Sequence, residues 1–316
     1  MRGARARGGS LPPPATEDKW VSWLARAFRV GDPGGWVGVG DDAAVLPLAG
    51  GLLLTCDTKA EGTHFTRRAL PGGIGHKALG SSLSDIAAMG GTPLAALLWV
   101  CASKGKGLRR LAGIARGAAA LARSLGVRIV GGDTIASRGP LVVGAAVLGR
   151  VNRRPLLRSG ARPGDRILVS GSLGGSSLGR HLTFTPRVRA GEALARRYRV
   201  RAAIDISDGL GRDLVRLCRA SGCGARIEAV RIPVSPAARR LSRRTGRSAW
   251  RHALSDGEDF ELLVAAAPRE AARIARERPG GIRWTQIGEC VAGASRIVLP
   301  GGRESPLRGE GYVHPL

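Results

Sequence analysis

The chain has 316 residues, 43% apolar and 23% charged, which suits roughly two domains with real cores and excludes an intrinsically disordered protein. Fifty Lys and Arg against 24 Asp and Glu give a net charge of +26, but only five of the basic residues are lysines, the arginines are spread along the whole sequence and aromatics are only 4%, so no specific nucleic-acid function is expected. Five cysteines without a C-x-x-C pair argue against a zinc site or a disulfide framework. The longest apolar stretches, such as Leu141 to Gly149, fall short of the ~20 residues that cross a bilayer, so a cytoplasmic protein without an export signal is expected.

Residues 1–16 carry Gly, Pro and Arg without periodicity and are expected to form a disordered tail. A short helical pattern spans Trp20 to Phe28, and Gly31 to Gly40 leads into Asp41-Asp42. Gly51 to Cys56 is a buried strand ending at Asp57. Helical spacing of Ala78, Leu79, Leu83, Ile86 and Ala87 predicts a helix over 75–89 that carries Asp85. A strand over 94–101 and an Arg/Ala-rich helix over 107–125 follow. A strand over 127–130 then ends at Gly131-Gly132-Asp133-Thr134, and another covers 141–151. Pro, Gly and Arg cluster over 153–164, placing a boundary between a first domain at 17–155 and a second at 156–316. The second opens with a strand over 166–170 and a Gly/Ser loop over 171–179. A strand over 202–206 then opens into Ser207-Asp208-Gly209 and a helix, with Ser207 or Asp208 placed as its N-cap. The rest is predicted as a strand over 225–230, helices near 236–244 and up to 278, a strand over 260–266 and terminal strands.

The scarce acids carry the chemical information. In so basic a chain, Asp41, Asp42, Asp57, Asp85, Asp133, Asp205 and Asp208 stand at the ends of apolar strands or inside an apolar helix rather than on exposed faces. A carboxylate taken out of water must be paired, hydrogen-bonded or bound to a metal, and converging carboxylates repel unless a cation intervenes. Hard oxygen donors with few histidines or thiols suit Mg²⁺, which takes carboxylates together with phosphate oxygens, and so point to a nucleotide. Taken singly, each acid has a plain alternative: Asp208 as a helix cap, Asp41 and Asp42 in a turn, Asp133 in an Asx-turn. The Walker signature G-x-x-x-x-G-K-[ST] is absent.

The segments GVGDDAAV (38–45), TCDTKAEGTHF (55–65), KALGSSLSDIAAMGGTP (77–93), VGGDT (130–134), RSGARPGD (158–165), AIDISDGL (203–210) and LSDGEDFEL (254–262), in this order, resemble the thiamine-monophosphate kinases. These belong to the ATP-binding superfamily that also holds aminoimidazole ribonucleotide synthetase and selenophosphate synthetase. The resemblance implies an α/β, two-domain synthetase-like fold, with an N-terminal domain forming a β-barrel across a homodimer and a C-terminal α/β domain. It implies Mg²⁺-dependent transfer of the ATP γ-phosphoryl to thiamine monophosphate, with several ions bound at Asp42, Thr55, Cys56, Asp57, Asp85, Asp133, Asp205 and Asp208. Gly132, Asp133, Arg158 and Ser207 fall on ATP-contacting positions, and His64, Glu258 and Pro315 on substrate-contacting ones; Cys56, Ser82 and Pro315 depart from the usual residue types. The acceptor is a phosphate monoester, largely ionised near neutral pH with a second pKa of about 6, so no dedicated base is expected. The alternatives are another ATP-dependent enzyme of the superfamily and a non-catalytic, polyanion-binding paralogue.

Overall fold

The computed structural model describes residues 41–46, 50–103 and 107–313; the expected tail, the helix over 20–28 and Pro315 lie outside them. The first half builds a five-stranded sheet from Ala44–Leu46 (β1), Leu52–Ala60 (β2), Thr92–Ser103 (β3), Arg128–Ser137 (β4) and Val142–Arg150 (β5), in the order β1-β2-β5-β3-β4. All its pairs are antiparallel except β3 with β4. The strand expected to stop at Val130 instead runs on through Gly132. A Cβ at Gly132 would stand 1.7 Å from the Leu98 carbonyl, so this glycine admits a close approach of β4 to β3 rather than a turn.

The helix Pro71–Ala88 (α1) starts four residues earlier than its periodicity suggests, with Pro71 pre-set for the first helical position. It is buried on nearly every side, as an all-round apolar helix must be, because it touches β2, β5, the helix Leu108–Ser124 (α2) and strands of the second half. Gly75 lets α2 come close: a Cβ there would meet the Ile114 carbonyl at 1.9 Å.

The second half is a seven-stranded sheet made from Arg166–Ser170 (β6), Val200–Ile206 (β7), Gly224–Glu228 (β8), Glu261–Ala266 (β9), Trp284–Val291 (β10), Arg296–Val298 (β11) and Glu304–Pro306 (β12), in the order β12-β11-β8-β10-β6-β9-β7. Its helices are Val188–Arg197 (α3), Leu210–Ser221 (α4), Pro236–Thr245 (α5), Ala249–Ser255 (α6) and Pro268–Glu277 (α7). β9 is buried along its whole length, so its even and odd residues serve two cores. Leu262 and Val264 join Leu79, Leu83 and Ile86 of α1 in a core that spans both halves, whereas Leu263 and Ala265 face Leu210, Leu214 and Leu217 of α4.

The two faces of the first sheet differ. Thr55, Asp57 and Lys59 alternate along β2 with the exposed Leu54, Cys56 and Thr58. Cross-strand register puts Leu97, Trp99 and Cys101 of β3 in line with Cys56, Thr58 and Ala60 through β5, and Ile135 lies opposite Cys101. Leu54, Leu97 and Ile135 remain 45%, 46% and 55% exposed.

Candidate active site

Three elements converge where the halves meet. Asp42 precedes β1, Asp85 sits on the last turn of α1, and Asp205 is the penultimate residue of β7. Each offers a carboxylate oxygen within 4.8 Å of those of the other two. Thr55 Oγ1 donates to Asp85 Oδ2 at 2.6 Å, and Ser84 Oγ donates to Asp205 Oδ2 at 2.7 Å. Arg158, from the connecting segment, donates through Nη2 to Asp42 Oδ1 at 2.7 Å and through Nε to Oδ2 at 3.3 Å, while its backbone N–H reaches Asp41 Oδ1 at 2.7 Å.

One guanidinium does not neutralise this group. Burial, then the charges of Asp57, Asp205 and Asp42, push the Asp85 carboxyl well above the usual range against the hydrogen bond from Thr55. Burial, then Asp42 and Asp213, do the same to Asp205. Carboxylates that disfavour their own charge at such spacing, with hard oxygen donors around them, fit a divalent cation such as Mg²⁺.

The other expected ligands take different positions. Asp57 lies on the same face of β2 as Thr55 and pairs with the buried Lys59 at 2.9 Å. Cys56 is exposed, because strand alternation sends it to the opposite face, so any contact from it to the acids would have to come from its backbone. Asp133 is exposed on β4, in register with Trp99, where its Oδ1 accepts from the Thr134 N–H at 2.8 Å, and it does not join the three-acid group. Asp208 pairs with Arg216 at 2.6 Å and Arg212 at 3.5 Å.

Neither Ser207 nor Asp208 caps α4; its N-cap is Gly209, which makes no side-chain cap bond. Instead Asp213, in the first turn, accepts from the backbone N–H groups of Ser207 at 3.0 Å and Asp208 at 2.9 Å and so fixes the loop from within the helix. Burial and Asp208 raise its carboxyl to about 7.

Next to the acids lies a charged group of different character. The His64 Nδ1 accepts from the Ala60 N–H at 3.0 Å, which puts the proton of the neutral ring on Nε2 and makes that atom a donor. Glu258 sits in a loop where both Glu258 (φ 56°) and Phe260 (φ 50°) adopt left-handed backbone, a cost of roughly 1–2 kcal/mol per non-glycine residue. The loop is held there by the Glu258 N–H to the Ser207 carbonyl (2.6 Å) and the Phe260 N–H to the Ile206 carbonyl (2.8 Å). Between them the buried Asp259 accepts from the Gly174 N–H at 2.9 Å and Ser176 Oγ at 2.6 Å, tying the Gly/Ser loop to this strand end. Glu261, also buried, takes Arg187 Nε at 2.7 Å and Arg180 Nη2 at 2.5 Å.

The Glu258 carboxylate meets Lys77 Nζ at 2.5 Å and His181 Nδ1 at 3.1 Å. Despite its burial, these partners hold it down to about 2: hydrogen bonding from His181 first, then the Lys77 charge. Lys77, His181, Asp213 and Asp259 were not singled out from the sequence. Asp213 had a usable signal as an acid in the first turn after S-D-G, and Asp259 stands inside the same motif as Glu258.

The two halves match the AIR synthase related protein N-terminal domain over residues 40–151 and its C-terminal domain over residues 162–299. The thiamine-monophosphate kinase of Rhodopirellula baltica is 40% identical over 266 residues, covering 81% of this chain and 83% of that protein. The Escherichia coli K12 thiamine-monophosphate kinase is 36% identical over 306 residues, covering 88% and 91%. Among solved structures, AaThiL complexed with AMPPCP and TMP superposes with a TM-score of 0.82 at 26% identity, covering 95% of this chain and 97% of that one.

Proposed function

Since this chain belongs to the AIR synthase related family and acts as a thiamine-monophosphate kinase, passing the γ-phosphoryl of ATP to thiamine monophosphate, we propose that its three-acid group at the seam is the Mg²⁺ and phosphate end of the active site and that His64 and Glu258 contact the thiamine moiety. The convergence of Asp42, Asp85 and Asp205 within 4.8 Å carries this reading. Asp57 and Thr55 border that group from β2, and Asp208, Gly132 and Ser207 are assigned to the wider nucleotide and metal shell; Asp133, in register with Trp99 on the outer face of the sheet, stands away from the acids and is not placed there. Bound Mg²⁺ would supply positive charge to the phosphate oxygens as charge shifts during transfer.

The residues themselves bind and orient. Arg158 brings a guanidinium to the phosphate end, and its backbone and side-chain bonds to Asp41 and Asp42 fix where it stands. The acceptor oxygen of thiamine monophosphate is already ionised above its second pKa of about 6, so none of these side chains has to remove a proton. His64 offers Nε2–H as a donor to the substrate. Glu258, ionised throughout the neutral range, offers acceptor oxygens and negative charge suited to an amino group or to the cationic thiazolium ring.

The outer face of the five-stranded sheet, with Leu54, Leu97 and Ile135 exposed, is assigned to a second copy of the chain, the pairing in which two such sheets form a barrel. A cytoplasmic setting is the natural one for an enzyme of soluble nucleotides; among the described residues no helix is long and apolar enough to cross a membrane. The deciding assay is Mg²⁺-dependent formation of thiamine diphosphate and ADP, run beside aminoimidazole precursors and selenide. Turnover of either competitor in place of thiamine monophosphate would overturn the reading.

A further inference from the structure

Lys77 is the largest side chain in the described structure that is completely buried, and the phosphoryl transfer described above does not use it. It projects from the first turns of α1 to a point where three segments far apart in sequence come together. Its Nζ reaches Glu258 Oε1 of the second half at 2.5 Å and His181 Nδ1 at 2.8 Å, and it donates at short range to the carbonyl of His64 in the first half. Nδ1 of His181 serves one partner at a time: it accepts from Lys77 when it carries no proton, and donates to Glu258 Oε2 when it carries one.

We propose that Lys77 is a positioning residue of the thiamine subsite, its ammonium holding the Glu258 carboxylate and the His64 main chain at one point so that the two substrate-contacting side chains stay in register across the domain seam. The inference rests on the assignment of His64 and Glu258 to the substrate. With one carboxylate oxygen held by Lys77 and the other beside His181, the plane of the Glu258 carboxylate is set before substrate arrives, and binding does not have to order it.

A purely structural role for Lys77 fits poorly. Burial brings its ammonium down to about 8, against the opposing pull of Glu258, so its partners do not fully repay the loss of water. Lys59 adds a second positive charge nearby and Asp57 a compensating negative one. Such a group is costly to the fold and is explained by what it orders. The left-handed backbone at Glu258 and Phe260 shows the same economy, since strain is kept where a side chain must be aimed.

The test is steady-state kinetics of the full-length enzyme with Lys77→Met, which keeps the length of the side chain and removes the charge, and with Lys77→Gln as a second variant should the first fail to fold. The expected result is a KM for thiamine monophosphate raised tenfold or more, kcat changed less than threefold and an unchanged KM for ATP. Calorimetric titration with thiamine monophosphate alone should show the same loss of affinity. Glu258→Gln should raise the same KM, and the double variant should be no worse than the poorer single one, since Lys77 acts through Glu258. An unchanged KM in the Lys77 variants beside a raised one in Glu258→Gln overturns the positioning role while leaving the subsite intact; an unchanged KM in Glu258→Gln as well overturns the subsite. Loss of kcat and of both KM values together with a lower melting temperature, or strictly additive effects, would make Lys77 a structural residue and sink the proposal.

Discussion

Two carboxylate environments face each other across the seam of the molecule, and they are built on opposite principles. Asp85 and Asp205 are crowded by further acids, with hydroxyl donors and Arg158 nearby, and both are pushed toward the neutral form. Glu258 is given its own ammonium and imidazole and is held firmly ionised, down to about 2. The first arrangement is electrostatically incomplete and calls for a cation from outside, whereas the second is complete and presents a fixed charge to an incoming molecule. A carboxylate's partners, more than its burial, thus separate a metal position from a recognition position.

The contrast is tested most severely at the acids. Asp85→Asn and Asp205→Asn should each lower turnover on the order of 10³-fold or more, because the charge that holds the cation is removed. The same changes should raise the melting temperature of protein stripped with chelator, since a repelling neighbour disappears. Mg²⁺ at a hundred times its dissociation constant should stabilise the parent by about 2.7 kcal/mol and these variants much less, as read by thermal melts. A chelator-treated variant that melts below its parent would break the contrast.

Glu258→Gln should behave in the reverse sense. It strands the Lys77 ammonium, so a loss of about 1–3 kcal/mol is expected by denaturant titration, with or without Mg²⁺.

Acidity separates the two kinds of group further. Asp213 and Asp259 have carboxyls raised to about 7, so their ionisation costs stability above that pH, and the cost is relieved as the pH falls toward the unfolded value near 4. Glu258, lowered to about 2, contributes stability above about 4.5 that is lost on further acidification. Chelated protein should therefore gain stability from pH 8 to pH 5 and lose it below about 4.5, a maximum visible in melting temperature against pH. The smallest effect on turnover is expected at Cys56→Ser: its side chain lies on the face away from the acids, and kcat should be unchanged.

Much of this could be read before any coordinates. The period of α1 and the apolar runs of β2, β3, β5, β6 and β9 announce themselves, and the acids stand out because so basic a chain has few to place. The end of β4 is hidden in the sequence because Gly131-Gly132 looks like a turn, whereas the close approach of the Leu98 carbonyl is what requires Gly132. α3 has a weak signal because its buried stripe is built mostly of small residues, Ala190, Gly191 and Ala195 beside Val188 and Leu194, and its burial comes from α1 and the turn at 279–281. Lys77 and His181 carry no local signal, since each becomes informative only through a partner 181 or 77 positions away, at Glu258. Asp57 and Lys59 lie two residues apart on one strand face, and that pairing was open to the alternation rule.

The divided ownership of the three acids has a mechanical consequence. Asp42 and Asp85 ride on the first half, Asp205 on the second, and Arg158 on the segment that joins them. An ion held by all three would act as a clasp, turning mutual repulsion across the seam into tension that draws the halves together. Because Leu79, Leu83 and Ile86 already share one core with Leu262 and Val264 across the same seam, such a clasp would reinforce a joint that packing holds, and its loss would be felt locally at the acids.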